Sequence, residues 1–209
     1  MAIQNTLPDP LNLINTAGED SGSAGPGFAS VKLSSNQPIM RDRTRSGRLV
    51  SRAVTYHKWE IDITYNPLTK EEFTPVFSFL LEKQGSLKPF YLELPQYRNQ
   101  TSLNKTSLEN KNAGATSLQI NSISGIAPGM LFNIVDLTDS THTKSYMVTK
   151  ASGNTLSFIP GLQKDVSITA TINFKTPKIK VIQVSDTQEY ALGSNNLYSF
   201  SLKLEEACS

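Results

Sequence analysis

The stretch from residue 69 to 95, TKEEFTPVFSFLLEKQGSLKPFYLELP, constrains the fold more than any other. It is the one segment patterned as a helix, and it runs straight into a strand. Thr69 can cap the helix, with Glu72 at the capping-box spacing. Phe73, Val76, Phe77, Leu80 and Leu81 recur at helical spacing and predict one apolar face. On that reading Phe77 is core, and Phe77→Ala is expected to cost about 3–5 kcal/mol. Pro75 confines the helix start to residues 68–71 or else marks a kink, because proline is best tolerated in a first turn. Gly85 is the expected stop. Phe90, Tyr91, Leu92 and Leu94 then form a short apolar strand ended by Pro95. A lone helix must bury its apolar face on another layer. The expected receiver is a sheet built from both ends of the chain.

Two segments carry the period of two that marks a half-buried strand. In 49–65, Trp59, Ile61, Ile63 and Tyr65 alternate with Lys58, Glu60, Asp62 and Thr64. In 197–204, Tyr198, Phe200, Leu202 and Leu204 alternate with Ser199, Ser201 and Lys203. Their patterns match, so they are expected to pair in one antiparallel sheet. A shorter strand is expected at 28–33, and an apolar one at 178–185 through Ile179, Val181, Ile182 and Val184.

Between them the style of the chain changes. From about residue 100 to 175 there is no Arg or Trp, and short apolar runs at 116–120, 130–135, 145–149, 155–159 and 168–174 alternate with turn residues. Five short strands with turns about every ten residues predict a small barrel or sandwich. Surface loops accept such insertions. The expected organisation is therefore mainly β (α+β). A discontinuous β-sandwich domain, residues 1–99 and 176–209, carries one packed helix at about 69–84. An inserted small β-barrel domain spans 100–175.

Charged residues are 18% of the 209, below the roughly 25% usual for soluble chains, and the net charge of +2 is too small to imply nucleic acid by itself. The single cysteine, Cys208, excludes an intramolecular disulfide. The opening MAIQNTLPDP has neither the basic end nor the apolar run of a signal peptide. The Gly/Ser-rich segment 16–27 reads either as a disordered tail or as an arm that orders against a neighbouring subunit.

No catalytic, metal or cofactor site is expected. His57 and His142 fall in different expected domains and suit structural roles. With one cysteine they do not make a zinc site. Glu71–Glu72 belong to the helix start and Glu205–Glu206 to the tail, without an acid–base setting. Asp136 and Asp139 sit in a Ser/Thr-rich loop and suit turns better than a cation. The sequons at Asn99 and Asn104 carry little meaning without a signal peptide.

Five of the six arginines lie within twelve residues: Arg41, Arg43, Arg45, Arg48 and Arg52. The segment 43–47, RTRSG, reads as a turn or hairpin tip, and Arg41, Arg43 and Arg45 would share one face of an extended strand. The cluster is either a solvated loop or a contact surface for a protein partner or passing DNA phosphate. No aromatic residue is interleaved, which argues against base stacking.

Several collinear stretches resemble the distal tail proteins of T-five-like siphophages. They are LPDP at 7–10, GFASV at 27–31, PIMRD at 38–42, WEIDITY at 59–65, LPQY at 94–97 and SLKLEE at 201–206. The helix-to-strand piece, FLLEKQG at 79–85 with KPF at 88–90, also resembles the minor tail protein M of lambda-type phages. In the insert the likeness is weaker and rests mainly on APGMLF at 127–132. The resemblance implies a non-enzymatic virion protein of the tail tip, made in the host cytoplasm. It implies a homohexameric ring that joins the tail tube protein to the tail-tip hub protein, leaves a channel for viral DNA without binding it specifically, and carries no cofactor and no membrane segment. It also implies an oligonucleotide/oligosaccharide-binding (OB-like) type of barrel for the insert. The five arginines then become candidate subunit or ring contacts. The alternative is a carbohydrate-binding module for host adhesion, which would need exposed rings among Phe132, Tyr146, Phe158 and Phe174.

Overall fold

The structure, a computed structural model, describes residues 5–8, 27–53, 57–97, 104–136 and 141–207. The Gly/Ser-rich segment from 16 to 26, Asn99, Asp139 and Cys208 lie outside them. The first strands are β1 (Phe28–Asn36), β2 (Ile39–Arg43), β3 (Leu49–Ala53) and β4 (Lys58–Tyr65); helix α1 (Lys70–Lys83) and β5 (Phe90–Glu93) follow. Six strands come next: β6 (Asn104–Thr106), β7 (Ser117–Gln119), β8 (Leu131–Val135), β9 (Ser145–Ser152), β10 (Thr155–Ile159) and β11 (Thr171–Asn173). The chain closes with β12 (Lys178–Gln183), β13 (Ala191–Leu192), β14 (Tyr198–Ser199) and β15 (Ser201–Glu206).

Five strands from the two ends form one antiparallel sheet in the order β1-β4-β15-β12-β5. The two alternating segments pair as expected, with Ile63 opposite Leu202 and Ile61 opposite Leu204. Their shared apolar face is buried, and α1 packs on it in a single core with Phe90, Leu92, Ile179 and Val181. Residues 5–7 lie parallel to β5, where Leu7 N donates to Tyr91 O at 2.8 Å and Tyr91 N to Asn5 O at 2.7 Å. This short segment covers the β5 edge and leaves β1 as the open edge among the described residues.

The capping box forms: Glu72 N donates to Thr69 Oγ1 at 3.4 Å, and Thr69 N donates to Glu72 Oε2 at 2.8 Å. Pro75 lies inside the helix rather than in its first turn. The helix ends at Lys83 with Gln84 as its left-handed C-cap (φ 56°), and Gly85, the expected stop, is the first residue beyond the cap at φ 64°. A side chain at Gly85 would also meet the Asp186 backbone at 3.0 Å. The buried stripe is Phe73, Val76, Phe79, Leu80 and Lys83. This corrects the expected face. Leu81 is exposed, and Phe77 is only partly buried, stacked on Phe73 (5.1 Å) and edge-on to Tyr190 (5.3 Å). The helix is rolled so that Val76 and Leu80 point at the sheet and Phe77 sits at its flank. The full-core cost expected for Phe77→Ala therefore belongs to Leu80.

The remaining six strands run in the order β6-β11-β8-β9-β10-β7. Ser107 bridges to Ile120, and Leu108 N donates to Gln119 O at 2.9 Å, so the first and last strands meet and the sheet curls back on itself. The sequence reading missed β6, because its residues Asn104-Lys105-Thr106 have no apolar run. This sheet has its own core, built on Phe132, Tyr146, Phe158, Ile172 and Phe174. All four of its candidate sugar-stacking rings are buried, and no stacking platform remains on them.

The two sheets meet through polar contacts that the sequence did not reveal. Trp59 Nε1 donates to Ser145 O at 3.0 Å, and Lys178 N donates to Asn133 Oδ1 at 2.6 Å. Glu206 closes the junction. Its carboxylate pairs with the Lys144 ammonium and accepts from Trp59 N (3.2 Å) and Ser145 N (3.3 Å). Glu205 pairs with Lys58. The two glutamates read as a tail are thus strand residues with partners.

Candidate functional site

The arginine-rich segment is a separate two-stranded sheet, β2–β3, whose strands pair with each other and, among the described residues, with no other strand. Its turn is self-contained. Thr44 N donates to Arg48 O at 3.0 Å, Gly47 N to Thr44 O at 2.8 Å, and Arg48 N to Thr44 Oγ1 at 3.1 Å. Gly47 holds φ at 80°, which costs a residue without a side chain nothing.

The register fixes two faces. Arg43 lies opposite Leu49, Arg41 opposite Ser51 and Ile39 opposite Ala53. Met40 lies opposite Arg52, and Asp42 opposite Val50. Cross-strand partners share a face. Arg41 and Arg43 therefore do share one, as expected. Arg45 and Arg48 are in the turn, and Arg52 is on the reverse face. All five are exposed, and none forms an ion pair with a described residue.

The charge reading missed four side chains. Ile39, Met40, Leu49 and Val50 are 48–67% exposed, two on each face of the hairpin. Apolar residues on both faces of a strand pair that no described residue covers form an exposed apolar patch. The sequence shows apolar residues flanking the arginines on both sides of the turn, but not that they lie uncovered.

Elsewhere the polar groups are structural. His142 Nε2 lies 2.7 Å from the Tyr146 hydroxyl, which accepts from Gln163 N at 3.0 Å. Asp136 accepts from Ser167 N at 2.8 Å and from its hydroxyl at 2.7 Å, a turn role as expected. Among the described residues no group of acidic, His or Cys side chains could hold a metal, and no helix is long and apolar enough to cross a membrane.

His57 joins the hairpin to β4, with Nε2 3.0 Å from Ser35 Oγ and its ring edge-on to Trp59 at 4.7 Å. Burial, and then the Lys144 ammonium, lower its pKa to about 4. The folded value is below the ordinary 6.5, so the neutral ring contributes stability that is complete above that pH and lost as pH falls toward 4. Half-exposure of the ring reduces this contribution to about 1–2 kcal/mol. Glu206 acts in the opposite sense, because burial pushes its carboxyl up against the pull of Lys144 and two backbone N–H groups. A His57→Gln variant isolates the first effect. Between pH 7 and pH 4, urea unfolding should show the parent losing about 1–2 kcal/mol more than the variant. Equal losses would contradict the assignment.

Residues 7–97 match the family model of the distal tail protein pb9 A domain, N-terminal part. Distal tail protein pb9 of Escherichia phage T5 is 29% identical over 217 residues, spanning 96% of this chain and 98% of that protein. The family model covers β1 to β5 with the hairpin between them, and the curated relative extends the likeness through the second sheet to the returning strands. Together they show a likeness to distal tail protein pb9 of Escherichia phage T5 that runs over nearly the whole chain.

Proposed function

We propose that the chain is the subunit of a homohexameric ring at the distal end of the tail, joining the tail tube to the tail-tip hub around a channel that passes DNA. The observation that carries this reading is the detached β2–β3 hairpin, whose arginines and apolar side chains are all exposed. A subunit in a closing ring needs a heterologous contact, and a hairpin whose strands pair with no other described strand of its own chain is suited to supply one. The open β1 edge is a second means of joining neighbours. In this reading residues 1–99 and 176–209 form the ring-building domain. Residues 100–175 form an inserted OB-like barrel, in line with the separate core and curled sheet of that segment. No enzymatic role is assigned.

The test is incorporation. Tails assembled with an Arg43→Ala, Arg45→Ala, Arg48→Ala variant should carry at least tenfold less of the protein than wild-type tails. Negative-stain images of wild-type tail tips should show six-fold rings. Wild-type levels of the triple variant would remove the hairpin from the interface, and another symmetry would overturn the hexamer.

A further inference from the structure

The chain also carries a surface complementary to its own hairpin. After β12, residues 184–192 run as a strap along α1. Asp186 Oδ1 accepts from the Ser86 hydroxyl at 2.6 Å, Gln188 Nε2 donates to Leu80 O at 3.0 Å, and Tyr190 lies 5.1 and 5.3 Å from the rings of Phe73 and Phe77. β13 then pairs with β14, and Tyr198 bridges to Leu68 at the helix entrance. Along this course Leu81, Val184, Tyr190 and Leu192 are half or more exposed. Beside the strap a cleft of about 410 Å³ opens between Glu189–Ala191 and the end of β4 at Thr64 and Tyr65, with Phe200 and the first residue of β15, Ser201, beside it.

The charges are opposite to those of the hairpin. Residues 184–192 carry Asp186 and Glu189 and no cation, whereas 39–53 carry five arginines against one aspartate. Both carboxylates are exposed. Asp186 is held below the ordinary range by its bonds from Ser86, so it remains charged. Lys83, the nearest helix cation, is buried over the Phe79 ring at 4.6 Å and paired with Glu82.

The two surfaces lie at opposite ends of β4. The hairpin leaves the body at the Lys58 end, and the strap reaches the Tyr65 end, eight residues and about 25 Å away. Among the described residues no strand pairing or ion pair links the two, so each can meet another copy. We propose that the strap, with the flank of α1 beside it, is the seat for the β2–β3 hairpin of a second copy of this chain. Apolar side chains of the hairpin cover Leu81, Tyr190 and Leu192, and its arginines face Asp186 and Glu189. This deepens the reading of the hairpin as an assembly contact and rests on it. Because donor and seat are different surfaces, the contact is head-to-tail and propagates from copy to copy until it closes.

The test is a charge exchange in the full-length chain, read by sedimentation velocity. Arg43→Glu with Arg45→Glu reverses the hairpin; Asp186→Lys with Glu189→Lys reverses the strap. Leu192→Arg is a second strap variant that leaves the Asp186–Ser86 bonds in place. Melting temperatures confirm that each variant is folded. Wild type should associate, and each variant alone should associate at least tenfold more weakly. An equimolar mixture of the hairpin-reversed and strap-reversed chains should associate again, because in alternation every hairpin meets a seat of opposite sign. Loss in the hairpin variant alone, with both strap variants unchanged, would overturn the seat while leaving the hairpin contact standing. No loss in any variant, or a wild type monomeric at its highest soluble concentration, would overturn both.

Discussion

Lys144→Met should destabilise the chain by about 3–5 kcal/mol, as expected when one member of a buried ion pair is removed. The side chains of Lys144 and Glu206 are only 5% and 1% exposed. Lys144 Nζ also donates to His57 O at 2.8 Å. Without the ammonium, the Glu206 carboxylate keeps only two long backbone donors, from Trp59 and Ser145, and must ionise unpaired or take up a proton. Lys144→Met with Glu206→Leu removes both charges and should recover most of the loss, because the desolvation of the pair disappears with its attraction. Urea unfolding of the four members of the cycle measures this coupling. Additive single effects would show that the pair does not act as a unit at the junction of the two sheets.

Leu80→Ala should cost about 3–5 kcal/mol, through lost burial and the cavity left behind. Leu80 is fully buried between α1 and the five-stranded sheet. Its neighbour Leu81 is 54% exposed, and Leu81→Ala should stay within about 0.5 kcal/mol of the parent. Phe77→Ala should fall between them, because its ring is only partly buried. Thermal melts of the three variants test how the helix is rolled. A loss for Leu81→Ala as large as for Leu80→Ala would rule out the observed face.

Much of this architecture is legible in the chain. The capping box at Thr69 and Glu72, the alternation in 59–65 and its echo in 201–204 are local patterns that survive into the structure. Other features are not local. Phe79 and Leu81 are both compatible with an apolar helix face, and the packing of Phe79 edge-on to Phe90 of β5 at 5.4 Å, with Leu81 left exposed, settles which one is core. The sheet of 100–175 gains β6 from a polar tripeptide because Asn104-Lys105-Thr106 pairs with β11. At the candidate site the arginine cluster was readable, as was the hairpin tip, but the exposure of Ile39, Met40, Leu49 and Val50 was not. An apolar run in a strand reads as buried until a structure shows what fails to cover it.

By itself the sequence determined where the helix begins, which strands have one wet face, where the style of the chain changes and where its arginines gather. Each of these is a property of spacing and composition along a short length of chain. Only the tertiary structure decided that Glu206 would be buried against Lys144, that Asp186 would lie against the end of the helix, and that the hairpin would stand clear of both sheets. Those outcomes depend on which residues, distant in sequence, take water away from a given side chain, and periodicity along the chain carries no record of them.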